Sequence, residues 1–199
     1  MNIIITLSTI LFISPIFQDG LSTYTNTRYN CSIEYPSKFI IKTYGDDSFS
    51  LVEGKDFVVD GDILNVAEWK RADMLGADQS FDETKVCDDY ICIITLDRAI
   101  AYSQADGPDG SSYCTDPEII YDYKTKSGQR VIKFYMIQID VNYSEDTITK
   151  YKVGPYYGIN FWSKGNEYIL LIQYKHQTLA DAEDELMLTK IVDSFKVTH

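Results

Sequence analysis

Residues 131–143 hold one alternating pattern over the length of a long strand. Val131, Lys133, Tyr135, Ile137, Ile139, Val141 and Tyr143 share one parity. Ile132, Phe134, Met136, Gln138, Asp140 and Asn142 share the other. A period of two puts these sets on opposite faces of a strand. The first set is nearly all apolar and is expected to face a core. The second begins apolar and ends polar, so the far end of the strand is expected to meet water. Two more extended segments follow at once. Residues 151–162 are rich in Tyr, Ile and Phe, with Gly154-Pro155 as a bulge or edge signal. Ser163-Lys164-Gly165-Asn166 has hairpin-turn chemistry, and residues 167–175 return. Short links cannot join parallel strands, so these segments predict an antiparallel meander.

The flanking sequence adds shorter elements. Cys31, Ile33 and Tyr35 share one face of a strand that Pro36 ends. Residues 45–61 carry four Asp and three Gly among short apolar runs, which predicts short or irregular strands. Residues 63–69 read as a strand. Ser80-Phe81-Asp82-Glu83 is a capping box. Phe81, Thr84, Cys87, Tyr90, Ile91 and Ile94 follow at helical spacing, so a helix is predicted over 81–94. Thr178 to Asp181 caps a final helix, whose apolar face is Ala180, Leu186, Leu188, Ile191, Val192 and Phe195. The resulting class is α+β, an antiparallel sheet flanked by helices. No internal repeat or long linker divides the chain, and 199 residues suit one domain with a short appendage.

That appendage is the first segment. Residues 2–17 are apolar and uncharged, too short for a bilayer span, and end near Pro15. Residues 1–22 are read as a signal peptide and 23–199 as the working domain, secreted or periplasmic. A retained N-terminal anchor is the alternative. Once the leader is removed, no stable membrane insertion is expected. The chain carries a formal net charge of −12, which a phosphate backbone would repel, so nucleic acid is excluded as a partner.

Two phrases at opposite ends of the chain carry a family resemblance. Cys31-Ser32-Ile33-Glu34-Tyr35-Pro36-Ser37-Lys38-Phe39 is a strand running into Tyr-Pro-Ser, and Ile191-Val192-Asp193-Ser194-Phe195 closes a helix on Ser-Phe. The chain resembles the PsbP-like fold family, exported bacterial proteins similar to the extrinsic photosystem II protein PsbP. The resemblance covers residues 25–198 and implies an α/β/α sandwich. Members of this fold act mostly by binding, so no catalytic or metal residue is carried over.

Little catalytic chemistry is visible. There is no nucleophile elbow, zinc-protease helix or phosphate loop. The two His are His176 and the terminal His199. The loop at 105–118 brings Asp106, Asp109 and Asp116 close together in sequence among Gly and Ser. Oxygen ligands on a sharply turning backbone are what calcium requires, although the spacing is not that of an EF-hand. Ordinary turn chemistry explains the same residues. The aromatic run Tyr151, Tyr156, Tyr157 and Trp162 reads as sheet core or as a stacking surface. By parity, Tyr156 and Trp162 share one face, and Tyr151 and Tyr157 the other.

Cys31, Cys87, Cys92 and Cys114 form an even set, compatible with two disulfides in an exported chain. On a helix over 81–94, Cys87 and Cys92 would point about 140° apart, so a bond between them is not expected. One of them bonding Cys114 is preferred, and four buried thiols are the alternative. The expected function is an exported, non-enzymatic binding or accessory domain that contacts a protein or small ligand through its loops. The alternative is a hydrolase using loop carboxylates, with calcium as its cofactor; otherwise no cofactor is expected.

Overall fold

The computed structural model describes residues 20–54, 57–66, 85–87, 91–96, 99–106, 112–114, 118–142, 145–174 and 178–198. Three small-sheet strands come from the two ends of the chain: β1 (Leu21–Asn26), β2 (Cys31–Pro36) and β14 (Lys196–Val197), paired in the order β1-β2-β14. The large sheet contains β3 (Ile40–Tyr44), β4 (Ser48–Glu53), β5 (Phe57–Asn65), β6 (Lys85–Cys87), β7 (Ile91–Leu96), β8 (Ala99–Asp106) and β9 (Ser112–Cys114). It also contains β10 (Glu118–Lys124), β11 (Arg130–Asn142), β12 (Thr147–Ser163) and β13 (Asn166–Tyr174). Its order is β3-β4-β5-β13-β12-β11-β9-β8-β7-β6, with β10 on the first half of β11. Among the described residues every strand pairing is antiparallel.

The predicted meander is β11-β12-β13. Lys164 (φ 49°) and Gly165 (φ 78°) are both left-handed, the two-residue turn whose twist matches flanking strands. Both faces of the meander are buried. One core joins Val131, Tyr157, Ile159, Phe161, Leu170 and Ile172 to Ile33 of β2. It also takes in Met187, Leu188, Ile191 and Val192 of α1 (Ala182–Asp193). A second core holds Ile132, Phe134, Met136, Val153, Tyr156, Ile169 and Leu171 on the opposite face. The polar end of β11 meets water only at its last residues: Gln138 is fully buried, Asp140 and Val141 are half-buried and Asn142 is exposed.

Several expectations are corrected. The described part of 81–94 is not helical: residues 85–87 and 91–96 are strands of a hairpin. Val86, Ile91, Ile93 and Ile94 favour a pleated surface, and pairing with β8 outweighs the local capping signal. Residues 48–53 and 57–65 are regular strands, because Asp60 and Asp62 alternate with buried Val59, Gly61 and Ile63. The N-cap of α1 is Asp181, not Thr178. Its carboxylate accepts from the backbone N–H groups of Glu183 and Asp184, both at 2.9 Å. Leu186, assigned to the apolar face, is exposed, and Met187 takes its place. Among the described residues α1 is the one α-helix of more than a turn, so the fold is largely antiparallel sheet with a helix on one face. Residues 1–19 of the expected leader lie outside the described residues. Leu21 and Ser22 already pair with Pro36 and Tyr35 in β1.

A bulge reverses the expected parity in β12. Phe134 faces Tyr156, but Met136 faces Val153, so Gly154 and Pro155 together stand opposite Tyr135 and one residue is extra. Tyr151 and Tyr156 therefore lie on one side, against the second core, and Tyr157 belongs to the first. Gly154 has φ +115°, and an added Cβ would sit 3.0 Å from the Tyr156 ring and 3.2 Å from Tyr135. Its N–H donates to the Thr178 carbonyl and its own carbonyl accepts from Ala180, both at 2.8 Å. The bulge thus fixes the segment that leads into α1.

One polar contact fixes the helix on the sheet. Lys133 is 7% exposed and donates through Nζ to Glu185. The Tyr135 hydroxyl donates to the other Glu185 oxygen at 2.8 Å. Rings of Tyr121, Tyr135 and Tyr157 lie 5.6, 5.9 and 5.7 Å from the Lys133 ammonium. Such contacts compensate a charge taken out of water. Burial raises the Glu185 pKa, but hydrogen bonds from Lys133 and Tyr135 and the charges of Lys133 and Lys152 outweigh it, leaving it below the ordinary carboxylate value. A lowered folded pKa stabilises the fold above the unfolded value and is lost as pH falls through the folded one. Acid unfolding below about pH 4.3 is therefore expected to include a Glu185 contribution that Glu185→Gln abolishes, as read by unfolding midpoint against pH.

A second expectation concerns close packing. An added Cβ at Gly61 would lie 2.3 Å from the ring of Phe49, its facing residue in β4. Gly61→Ala is expected to cost about 1–3 kcal/mol by overpacking. Gly154→Ala is expected to cost about as much, through its positive φ. Urea unfolding measures both, and an unchanged midpoint would contradict the packing described.

Candidate functional site

The clearest concave feature among the described residues lies where α1 ends. The helix stops at Ser194, Phe195 drops into the core, and Lys196–Val197 pair with Ser32 and Cys31 of β2. The turn after β10 packs against the same point. There the Ser127 hydroxyl donates to the Phe195 carbonyl. A cleft of about 560 Å³ results, lined by Leu21, Glu34, Lys126, Ser127, Lys190, Asp193, Ser194 and Lys196.

Its floor is a hydroxyl that takes the place of a strand. Before Lys196 the β14 ladder has not begun, and the Glu34 N–H donates to the Ser194 Oγ at 2.7 Å. The Ser194 hydroxyl in turn lies 2.6 Å from the Ile191 carbonyl. Ser194 thus ends the helix and continues the ladder. The rim is charged: Lys126, Lys190 and Lys196 stand with Glu34 and Asp193. Lys196 Nζ lies 3.2 Å from Glu34 Oε1. In a chain of net charge −12, a concavity with three lysines against two acids inverts the local sign. Leu21, 54% exposed, gives it an apolar side. Behind the rim, burial and then the charge of Asp193 push the Tyr123 phenol up. The Tyr123 hydroxyl and Asp193 Oδ1 are both buried without a well-formed hydrogen bond among the described residues.

The residues singled out in the sequence are elsewhere. Asp106 closes β8 and faces Ser112 across the pair with β9. Asp109 and Asp116 lie outside the described residues, as do His176 and His199. Cys31 is a buried free thiol, and burial pushes it up to about 12, far from a reactive thiolate. Cys87 faces Cys92, and Cys114 faces Gln138. Tyr156 and Tyr157 are core, whereas Trp162 is 51% exposed near the β12–β13 turn. The cleft was missed because its lysines sit at positions 126, 190 and 196, in three different elements. Its one local signal is Lys190 in the last turn of a helix, which a helix C-terminus favours anyway.

No protein-family model matches the chain, and no curated protein matches its sequence. Among solved structures, the chain is similar to cyanobacterial PsbP from Synechocystis sp. PCC 6803. That likeness has 12% identity and a TM-score of 0.45, and covers 96% of this chain and 98% of that one. It is also similar to the Ran-binding protein Mog1p of Saccharomyces cerevisiae, at 12% identity and a TM-score of 0.38, covering 90% and 96%.

The two halves of the cleft separate experimentally. Ser194→Ala strips a partner from a backbone N–H and is expected to cost about 1–3 kcal/mol. Lys196→Ala removes a solvent-exposed ion pair and is expected to change stability by less than about 1 kcal/mol. Denaturant unfolding of both variants checks the order, and equal losses would contradict the floor-and-rim description.

Proposed function

We propose that this chain is an exported, non-enzymatic binding or accessory domain whose ligand enters the cleft at the end of α1. The observation that supports the reading is the cleft itself: it is concave, with a charged rim, one exposed leucine and a floor rigidified by Ser194 and Ser127. Lysines on the rim of an acidic protein favour a small ligand with a carboxylate and an apolar end. The Tyr123 phenol behind the rim is raised by burial, which suits holding a ligand better than moving protons at neutral pH.

The wider organisation follows the same proposal. The α/β/α sandwich belongs to the same proposal: α1 and the small sheet lie against one face of the large sheet, and the second core, with Phe134, Met136 and Val153, supports it on the other. Among the described residues no helix is long and apolar enough to cross a membrane. Signal cleavage in this reading falls before Gly20 rather than after Ser22. Leu21 and Ser22 are paired in β1, and the Ser37 N–H donates to the Gly20 carbonyl at 2.8 Å.

Amide shifts of the isotopically labelled protein, titrated with carboxylate fragments bearing short apolar tails, test the site. Shifts are expected at Ser127, Ser194 and Lys196. They are expected to vanish in the Lys190→Glu/Lys196→Glu variant. Shifts confined to other surfaces, or undiminished in that variant, would sink the assignment.

A further inference from the structure

We propose that Cys87 and Cys92 form a cross-strand disulfide that clasps the β6–β7 hairpin. The observation that carries it is strand register. Lys85, Val86 and Cys87 face Ile94, Ile93 and Cys92 in turn. Facing residues of an antiparallel pair have Cα atoms about 4.5 or 5.5 Å apart, depending on whether they exchange hydrogen bonds. Both separations fall in the range of about 4.4–6.8 Å that a disulfide bridges. Facing residues also share a side of the sheet, because the side-chain period is two on both strands.

The other cysteines are placed where neither can compete. Cys114 lies on β9 and faces Gln138 of β11. Strand β8 stands between β9 and β7. Two strand spacings amount to about 9.5 Å, beyond the roughly 7 Å that a disulfide tolerates. Cys31 lies on β2, in the other sheet and in the first core. Of the pairings open to four cysteines, the register therefore selects one.

The bond forms by thiol–disulfide exchange with a small disulfide such as glutathione disulfide. One cysteine thiolate attacks a sulfur of that disulfide, forming a mixed disulfide and releasing one thiolate. The second cysteine thiolate then attacks the cysteine sulfur of the mixed disulfide and releases the other. The protein loses two electrons and two protons, and the reagent gains them as two thiols. Among the described residues β6 is joined to the sheet through β7 alone. The bond thus holds an end strand of three residues that would otherwise depend on one short ladder. In an oxidising compartment the hairpin is closed covalently, and in a reducing one β6 is held by its ladder to β7 alone.

Peptide mapping decides the matter. The full chain is equilibrated with glutathione disulfide, alkylated with iodoacetamide in denaturant, and digested with trypsin without reduction. Cleavage after Lys85 and Arg98 leaves Cys87 and Cys92 on the peptide 86–98, Cys114 on 99–124 and Cys31 on 29–38. The expected result is an unalkylated 86–98 two hydrogens lighter than its dithiol form, with the other two peptides alkylated. An 86–98 peptide carrying alkyl groups or glutathione, or one joined to 99–124, overturns the proposal. Hydrogen exchange reads the clasp itself: amide protection at residues 85–87 is expected to fall on reduction. Protection that does not change overturns the clasping role even where the bond forms.

Discussion

The position of the helix depends on a charge that has nowhere else to go. Lys133 lies in the middle of β11, on the face that the first core covers, and its side chain is almost wholly buried. An ammonium there is tolerable only if a carboxylate meets it and polar or aromatic faces surround it. Glu185, one turn into α1, supplies the carboxylate, while Tyr121, Tyr135 and Tyr157 supply the faces. Apolar packing by Met187, Leu188, Ile191 and Val192 would hold a helix on this sheet in more than one rotation. The Lys133–Glu185 pair, with Tyr157 bonded to Thr189 at 2.8 Å, selects one. Where α1 ends then determines where Ser194, β14 and the cleft stand.

The bulge at Gly154–Pro155 performs the complementary task on the backbone. It puts Val153 and Tyr156, three residues apart, in the same core, since the parity of the side chains reverses there. It also offers a carbonyl and an N–H to residues 178–180, which run alongside as a single bridge. Entry and exit of α1 are thereby set by different means. Backbone hydrogen bonds to the bulge fix the start, and the Ser194 hydroxyl with the β14 ladder fixes the end. With both ends of the helix held, the Ser194 floor of the cleft has a fixed place on the sheet.

Legibility from sequence followed the range of the interactions. The meander was readable because a period of two, with hairpin residues at 164–165, is a local signal and the contacts are between neighbours. The helix cap was misplaced by three residues because Thr178 and Asp181 are both good caps. Thr178 is used by the bulge instead. The segment around Cys87 was misread because spacing of three and four also fits short strands broken by a turn. Strand pairing decided the outcome: β6 pairs with β7, and β7 with β8. The cleft was invisible because Glu34, Lys126 and Lys190 share no local pattern and meet only through β2, a turn and a helix end.

By itself the sequence determined the antiparallel meander, the closing helix, the acidic surface and the absence of any contiguous catalytic motif, since each is a matter of composition or short-range period. The tertiary structure decided which polar groups meet: Lys133 with Glu185, Gly154 with Thr178 and Ala180, and Ser194 with Glu34. These depend on register and docking angle. One residue of slip in a strand, or one turn of helix rotation, would part every pair while leaving the hydrophobic pattern intact.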